Sequence, residues 1–331
     1  MASDQVRMKK LERSSDPGAE QRTMRALVFR TPGGPDVLSV IEVPIPEPNA
    51  GEVRVKVEAA PVFSADIAAR SGAMRAMLQP RPYYMLGWEL AGTVDAVGQG
   101  VDGVAPGDQV IGMSNPLSPK FGTQAEFSVL SADAVVKAPR GVSLVDASTI
   151  PANGLAAYQA LEALDLPRGA SVAVTGAAGA VGGYTIELAA LHGLDVIGLA
   201  GVEDEQFVMA RGARFIPRSQ IPGEAIRAAV PAGVDGLIDA AGLGASVLGA
   251  IRDGGTHVAL LPPAIPAPER DIRIVPLMVH PDAAQLRELA SLVEAGKLTI
   301  RVASLFHLDE GRKAHELYVR PGLRGRIVLL P

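Results

Sequence analysis

The pattern of hydrophobic and polar positions changes near residue 145. Before that point, short apolar or alternating runs predict closely spaced strands at residues 24–29, 38–43, 51–59, 92–97 and 109–112. In the third run, Val53, Val55 and Val57 alternate with charged residues, which is typical of a half-buried strand. Glycine and proline turns separate the runs. The pattern predicts a small β-barrel-like unit over residues 24–145.

After residue 145, strand-like runs alternate with helical ones. Apolar runs predict strands near residues 171–175, 195–200, 213–216, 235–239, 256–261, 272–280 and 325–330. Helical patterns occupy residues 156–164, 184–192 and 282–295, and the leucines of the last pattern fall on one face. Alternation of this kind predicts an α/β fold with a parallel sheet covered by helices.

The segment 171–182 reads SVAVTGAAGAVG and joins a predicted strand to a predicted helix. Its glycines recur at three-residue spacing, as in the dinucleotide-binding turn G-x-G-x-x-G, with Ala177 at the first glycine position. Such a turn lets the backbone approach a diphosphate, and the helix N-terminus supplies free N–H groups. A tight turn that binds nothing is the alternative, and the strand–loop–helix context argues against it. The predicted cofactor contacts here are Gly176, Gly179, Ala180, Val181 and Gly182.

The second strand of this unit ends at residues 200–201, where an NAD-binding site usually carries Asp or Glu for the ribose 2′-hydroxyl. The chain has Ala and Gly there, which leaves room for a 2′-phosphate and favours NADP(H). Glu203 and Asp204 follow closely and count against this preference. Nearby cations either pair with the phosphate or lie solvated at the surface; they are Arg211, Arg214 and Arg218.

The composition excludes several classes of function. Lys and Arg number 31 against 36 Asp and Glu, a net charge of −5, so the chain lacks the basic surface that nucleic acid requires. It has no cysteine, which excludes disulfides, thiolate metal sites and a cysteine nucleophile. The five histidines show no metal-ligand spacing, so no metal site is expected.

The sequence shows no signal for a membrane or for secretion. No apolar run approaches the ~20 residues of a membrane span. Residues 1–23 are polar and charged and lack an apolar signal segment, so we expect a disordered leader there. We therefore predict a cytoplasmic protein that binds neither membrane nor nucleic acid.

Further strings carry a family resemblance: AAPVFSAD at 59–66, GWELAGTV at 87–94, PGDQV at 106–110, FGTQAE at 121–126, LAAY at 155–158, GVDGLID at 233–239 and GRIVL at 325–329. In their order and spacing, from Met24 to Pro331, the chain resembles the zinc-independent NADPH quinone oxidoreductase branch of the medium-chain dehydrogenase/reductase superfamily. The zinc-dependent branch places a His beside a Glu where this chain has Trp88 beside Glu89.

The resemblance implies a domain arrangement. A GroES-like β-rich catalytic domain is expected at residues 24–148, a Rossmann doubly wound parallel-sheet domain at 149–282, and a return to the catalytic domain at 283–331. A homodimer that pairs edge strands is also implied, with 272–280 as the candidate edge. The cofactor is expected in the cleft between the domains, where further predicted contacts are Gly201, Arg218, Gly242, Leu261 and Arg326.

The implied activity is hydride transfer from NADPH to a quinone or an α,β-unsaturated carbonyl without zinc. Hydrogen-bond donors would hold the developing enolate oxygen. The expected substrate is a small, planar, conjugated molecule. Two alternatives stay open: a biosynthetic enzyme that catalyses a non-reductive step on a polyketide-like substrate, and a cofactor-binding protein without turnover.

The chain departs from the family at positions near the nicotinamide. Phe63 stands where the family commonly has Asn, and Ala156 where it has Thr. The candidate catalytic residues are Phe63, Ser64 and Tyr84. Phe63 either walls the pocket for a flat substrate or packs in the core. Ser64 either donates a hydrogen bond or caps a helix that starts near Asp66, and Tyr84 either donates or packs.

Overall fold

The computed structural model describes residues 22–114, 122–320 and 322–331. The leader predicted at 1–23 lies outside these ranges except for its last two residues. Phe121, the first residue of one string that carries the resemblance, lies outside them as well. Within the described part of the chain, none of the helices has the length and apolar character that a membrane crossing requires.

The first half of the chain is built mainly from short strands. They are β1 (Thr23–Phe29), β2 (Ser39–Pro44), β3 (Glu52–Pro61), β4 (Tyr84–Met85), β5 (Glu89–Val97), β6 (Gln109–Met113), β7 (Phe127–Ser131) and β8 (Val135–Lys137), with helices α1 (Ser64–Ser71) and α2 (Leu144–Ala147). Strands β2, β1 and β4 form an antiparallel sheet. Strand β3 pairs with β5 and β7, and β5 continues through β6 to β8. In β3 the alternating valines are buried and Lys56 and Glu58 face solvent, as the sequence pattern predicts.

The second half is a parallel sheet with helices. Its elements are α3 (Pro151–Leu164), β9 (Ser171–Thr175), α4 (Ala180–Leu191), β10 (Asp195–Ala200), α5 (Glu205–Met209), β11 (Arg214–Pro217), α6 (Pro222–Ala229), β12 (Val234–Asp239), β13 (Ile251–Ala259) and β14 (Arg273–Pro276). The strand order is β11-β10-β9-β12-β13-β14, and neighbouring strands are parallel. The order reverses between β9 and β12. In such sheets ligands bind outside the carboxyl ends of the strands at that point.

The end of the chain returns to the first half. Its elements are α7 (Ala283–Glu294), β15 (Val302–His307), α8 (Gly311–Tyr318) and β16 (Arg326–Leu330). Strand β16 pairs antiparallel with β3, with Leu329 opposite Ala60, and parallel with β15. The last two strands of the chain therefore join the sheet of the first half. Short 3-10 helices connect elements at Pro35–Val37, Arg75–Met77, Ala132–Ala134, Val202–Asp204, Gly244–Ala250, Pro262–Ala264 and Leu308–Glu310.

One buried cluster joins the two halves. It contains Met113 of β6, Leu155 of α3, Ile186 of α4 and Leu289 of α7, all fully buried. Helix α4 is apolar nearly all round, and residues 182–189 are buried without a break. A helix of this kind belongs in a core rather than at a surface. Its N-terminus is therefore held at the junction between the two halves.

Candidate active site

The glycine-rich loop turns sharply between β9 and α4. Gly176 has φ +62°, in the left-handed region that favours glycine, and its carbonyl oxygen accepts the N–H of Gly179 at 2.8 Å. A Cβ on Gly182 would overlap that same carbonyl oxygen. Glycine at 182 therefore allows α4 to start directly against the loop, which is the role of the third glycine in a dinucleotide-binding turn.

Helix α4 begins without a side-chain cap. Gly179 is the N-cap residue, and no side chain accepts a hydrogen bond at this end. The free N–H groups and the helix dipole together favour an anion here. Ala180 adds only a methyl group, so the backbone stays accessible. Val181 packs instead against the buried cluster that joins the two halves.

A cavity of about 280 Å³ lies at this end of α4, between the two halves of the chain. Gly179, Ala180 and Tyr184 line it from the loop and α4, Asn153 from α3, and Arg301 and Arg326 from the C-terminal part. Part of this volume is open to solvent, so a ligand that enters it can extend beyond these residues. The structure thus brings three of the predicted cofactor contacts together at this cavity, namely Gly179, Ala180 and Arg326.

Arg301 makes the cavity electrically positive. Its Nη1 donates to the carbonyl oxygen of Ala178 in the loop at 2.9 Å, and its Cζ lies 4.0 Å from the centre of the Phe207 ring. No residue in the described ranges forms an ion pair with Arg301. Burial lowers its pKa below the ordinary value, the nearby cations Arg211 and Arg324 add to that effect, and the carboxylate of Asp204 opposes it. An anion in the cavity would add to this partial compensation.

Arg326 is buried at the opposite wall. It is 4% exposed and forms an ion pair with Glu89, which is fully buried. Its Cζ also lies 5.3 Å from the centre of the Phe63 ring. Burial raises the pKa of Glu89, and the Arg326 guanidinium opposes that shift. The charge of Arg326 is therefore balanced inside the protein, unlike that of Arg301.

The end of β10 carries both cations and carboxylates. The N–H of Arg218 donates to Ala200 at 2.7 Å, which places Arg218 beside the strand end as predicted. Next to it, the carboxylate of Glu203 folds over the Cα of Gly201. Arg324 bridges Glu203 at 2.9 Å and Asp204 at 2.5 Å. Both signs of charge therefore lie where the adenosine ribose of a dinucleotide would be bound.

Gly242 and Leu261 follow the neighbouring strands β12 and β13. Gly242 has φ +69°, and a Cβ there would lie 2.9 Å from Cδ1 of Leu261. Asp239, at the end of β12, fixes the turn by accepting from the Gly244 N–H at 2.8 Å and the Thr175 hydroxyl at 2.6 Å. The predicted cofactor contacts in the parallel sheet thus lie at the carboxyl ends of its strands.

Phe63 lies beside the cavity rather than in the core of the first half. It precedes α1, is partly buried, and packs against the cluster that joins the two halves. Its ring centre is 6.3 Å from that of Trp88, with a tilt of 52°. Through Arg326 it touches the wall of the cavity. This placement is compatible with both interpretations, a pocket wall and a packing residue.

Ser64 does not cap α1, contrary to one of the two expectations for it. The helix begins at Ser64 itself, and the carboxylate of Asp66 accepts the N–H of Phe63 at 2.8 Å, so Asp66 satisfies this end. Ser64 instead hydrogen-bonds Tyr318, which opposes the burial that raises the pKa of Tyr318. The prediction was wrong because the helix starts two residues earlier than expected, so Ser64 lies inside its first turn and Phe63 takes the N-cap position.

Tyr84 packs inside the first half. Its ring stacks on Phe29 with centres 5.0 Å apart, in the short strand β4 that pairs with β1. Tyr84 is not among the residues that line the cavity. The stacking supports the packing interpretation over the catalytic one.

Sequence reasoning missed several residues of the cavity. They are Thr149, Asn153, Tyr184, Phe207, Thr299 and Arg301. Arg301 and Thr299 come from the C-terminal return, more than a hundred residues after the loop, so no local pattern connects them. Asn153 had a weaker signal, because it is the one amide in the small-residue first turns of α3, where the sequence is otherwise apolar as far as Ala157.

The described residues contain no group of three or more His, Asp or Glu side chains that could hold a metal ion. They do fit a dinucleotide. Four features support this fit. They are the uncapped N-terminus of α4, the glycine at 182 that lets loop and helix approach closely, the Arg301 guanidinium without an ion-pair partner in the described ranges, and the buried Nδ2 of Asn153, which likewise has no hydrogen-bond partner there. Phosphate oxygens are acceptors that would suit the free N–H groups of the helix end and the arginine.

Comparison with known proteins agrees with this site. The family described as alcohol dehydrogenase GroES-like domain matches residues 49–140, and the family described as zinc-binding dehydrogenase matches residues 211–329. The quinone oxidoreductase of Lama guanicoe is 31% identical over 333 residues, covering 94% of this chain and 98% of that protein. The chloroplastic quinone-oxidoreductase QR1 of Triphysaria versicolor is 30% identical over 328 residues, covering 94% and 99%.

A solved structure has the same architecture. The quinone oxidoreductase from Coxiella burnetii superposes with a TM-score of 0.84 at 28% identity, covering 94% of this chain and 100% of that one. The matches therefore extend over both halves and the C-terminal return. Together with the glycine-rich loop and its cavity, they show that the chain belongs to the quinone oxidoreductase branch of the medium-chain dehydrogenase/reductase superfamily.

Proposed function

We propose that this protein is a reductase that uses NADP(H) to transfer hydride to a quinone or an α,β-unsaturated carbonyl. The observation that carries the proposal is the cavity at the N-terminus of α4. There, free backbone N–H groups and the guanidinium of Arg301 converge at the junction of the two halves. The relatives named quinone oxidoreductase support the reaction class.

The chain's own residues bind and orient, while a nicotinamide dinucleotide supplies the hydride when bound. The first-turn N–H groups of α4 and Arg301 hold diphosphate oxygens. Gly242 and Leu261 form the wall at the ends of β12 and β13. The ion pair of Glu89 and Arg326 connects two strands of the catalytic half, and Glu89 also holds the start of α3 by accepting the N–H of Ala152. Solvent supplies the proton, since Ser64 is hydrogen-bonded to Tyr318 and Tyr84 does not line the cavity.

Phe63 is partly buried and packs on Arg326, which lines the cavity, and near Trp88, so we place the substrate against its ring. A flat substrate stacked on such a ring gains about 0.5–1.5 kcal/mol beyond area burial. A phenyl ring cannot donate a hydrogen bond to a developing enolate oxygen, whereas an amide can. The pocket therefore favours planar, conjugated, apolar substrates that accept hydride readily.

The preference for NADP(H) rests on the end of β10. Arg324 holds Glu203, which is 63% exposed, and Asp204, which is 7% exposed. A 2′-phosphate can take the place of the exposed Glu203 on Arg324 while the buried Asp204 stays. Arg218 adds a second guanidinium beside the same strand end. NADP(H) is therefore favoured even though two carboxylates are close.

Titration of NADPH and NADH by fluorescence tests this preference. The unmodified protein should bind NADPH more tightly. Arg218→Ala should weaken NADPH and leave NADH unchanged, and Glu203→Gln should strengthen NADPH by removing the competing carboxylate. Equal or tighter binding of NADH would overturn the preference but not the reaction class.

The reaction itself is tested by NADPH oxidation with a panel of quinones and enones. At least one planar acceptor should be reduced, and Gly179→Val should abolish that activity by blocking the cofactor. Binding of NADPH without oxidation by any acceptor would favour a cofactor-binding protein without turnover. Conversion of a substrate without NADPH consumption would favour a non-reductive biosynthetic step.

A homodimer and a cytoplasmic location complete the proposal. Strand β14 lies at the end of the parallel sheet in the strand order, so its outer edge is a candidate for pairing with a second copy. Light scattering should give twice the chain mass, and a monomer would contradict the dimer. Cell fractionation should place the protein in the cytoplasm, and recovery from an organelle would contradict that.

A further inference from the structure

Asn153 presents an unused hydrogen-bond donor to the cavity. Its side chain is 1% exposed, and its Nδ2 has no hydrogen-bond partner in the described part of the chain. A buried N–H group without a partner carries a large desolvation cost, and such groups are rare in proteins unless water or a ligand meets them. The amide therefore calls for an acceptor that comes from outside the chain.

Two polar groups that the fold places near this end of α3 already have hydrogen-bond partners of their own. The Thr149 hydroxyl donates to the Asp146 carbonyl at 2.8 Å. The Glu89 carboxylate accepts the Ala152 N–H at 2.8 Å and pairs with Arg326. Neither group accepts a hydrogen bond from Nδ2 of Asn153. The free donor thus faces the cavity at the N-terminus of α4.

We propose that Nδ2 of Asn153 donates a hydrogen bond to a diphosphate oxygen of the bound dinucleotide. The inference rests on the proposed function and deepens it by assigning a binding residue. The same cavity is lined by Gly179 and Ala180 of the uncapped helix end and by Arg301. Those groups gather phosphate oxygens, so the acceptor that reaches Asn153 is one of the same kind.

Asn153 places an amide at the cavity, although position 63, where the family commonly has one, does not. Position 63, where the resemblance predicts an amide, holds a phenyl ring. Asn153 instead brings an amide from α3, on the cofactor side of the cavity. Its role is therefore to hold the cofactor and not to stabilise charge on the substrate.

Gln159 provides a matched control on the same helix. It is 4% exposed, and its amide is fully used: Nε2 donates to the carbonyl of His280 at 2.8 Å and to Gln285 at 2.9 Å, and Oε1 accepts the N–H of His280 at 3.1 Å. Gln159→Leu removes a structural amide. Asn153→Leu removes an amide whose Nδ2 has no hydrogen bond to lose in the described part of the chain, and replaces it with a larger apolar side chain of similar branching.

The test measures thermal stability without cofactor and the dissociation constants of three probes. The probes are NADPH, ADP-ribose, which has the diphosphate but no nicotinamide, and adenosine 2′-monophosphate, which has no diphosphate. Asn153→Leu should weaken NADPH and ADP-ribose together, by about 10-fold or more for a bond to a charged oxygen. It should leave adenosine 2′-monophosphate binding unchanged and the cofactor-free Tm equal or higher. Gln159→Leu should lower Tm and leave all three affinities unchanged.

Other results would overturn the assignment. They are unchanged NADPH affinity, a loss confined to NADPH, a loss shared by all three probes, or a fall in cofactor-free Tm as large as that of Gln159→Leu. Failure of the proposed function looks different: the unmodified protein would then either bind none of the three probes, or bind NADPH without oxidising it with any acceptor.

Discussion

Arg326 and Glu89 form an ion pair with both side chains almost completely buried, at 4% and 0% exposed. The pair connects β16, the last strand, to β5 in the catalytic sheet. Glu89 also accepts the N–H of Ala152 at 2.8 Å, so the same carboxylate fixes the start of α3 beside Asn153. One buried carboxylate therefore holds the chain's C-terminal return and the cofactor side in register.

Breaking this pair should be costly. Arg326→Met removes the cation and leaves Glu89 buried without a counter-charge, which typically costs about 3–5 kcal/mol. Urea unfolding measures the change in free energy. The double variant Glu89→Gln with Arg326→Met should recover much of the loss, because no charge is left buried. A double variant as unstable as the single one would show that the pair's charge is not the cause.

Two glycines of the loop should have different roles, one in folding and one in dinucleotide binding. Gly182→Ala should destabilise the fold, because its Cβ would overlap the Gly176 carbonyl oxygen. Gly179→Val should leave the fold largely intact, since a Cβ there meets only that oxygen, at 3.1 Å, and should abolish dinucleotide binding by filling the approach to the helix end. Circular dichroism and NADPH titration distinguish the two. Normal NADPH binding by Gly179→Val would contradict the assigned place of the diphosphate.

The sequence pattern predicts the parallel sheet well and the helix starts less well. The strands at 171–175 and 195–200 have the predicted bounds, since continuous apolar runs mark buried strands. Helix α4 starts at Ala180 rather than Tyr184, because Ala, Val and Gly in its first turn give no helical periodicity. The run 272–280 forms a strand only at Arg273–Pro276, where proline ends the pairing. Strands β7, β8 and β15 are short or half-exposed and give weak signals.

The site is harder to predict than the fold. Gly179 and Ala180 belong to the glycine-rich dinucleotide-binding motif, which can be recognised from the sequence alone. Arg301 and Asn153 reach the same cavity from separate elements, and only tertiary packing brings them together. The pairing of Arg324 with Glu203 and Asp204 likewise crosses 120 residues or more. No local pattern reveals such contacts.

His315 should make the protein sensitive to acid. Burial lowers the pKa of His315 to about 3, and the charge of Arg70 adds to this. In the unfolded chain its pKa is about 6.5, so the stabilisation is complete above that pH and is lost as pH falls towards 3. The loss should reach about 2 kcal/mol at a pH of about 5. His315→Leu should remove this part of the pH dependence of unfolding, and His307→Leu, at an exposed position, should not. Parallel stability curves for His315→Leu and the unmodified protein would contradict a neutral, buried His315.

Phe63 should set the substrate profile. Its ring packs 6.3 Å from Trp88 and 5.3 Å from the Arg326 guanidinium, beside the cavity. Phe63→Asn supplies an amide donor, and one such donor to a developing oxyanion can raise the rate by about 100-fold or more. Small enones should gain in kcat/KM, and larger aromatic quinones should lose because the stacking surface is gone. Phe63→Leu is the matched control: it keeps the apolar volume, adds no donor, and should weaken aromatic quinones without helping small enones. If Phe63→Asn, Phe63→Ala and Phe63→Leu all keep the original order of substrates, the ring only fills the core and the substrate binds elsewhere in the cleft.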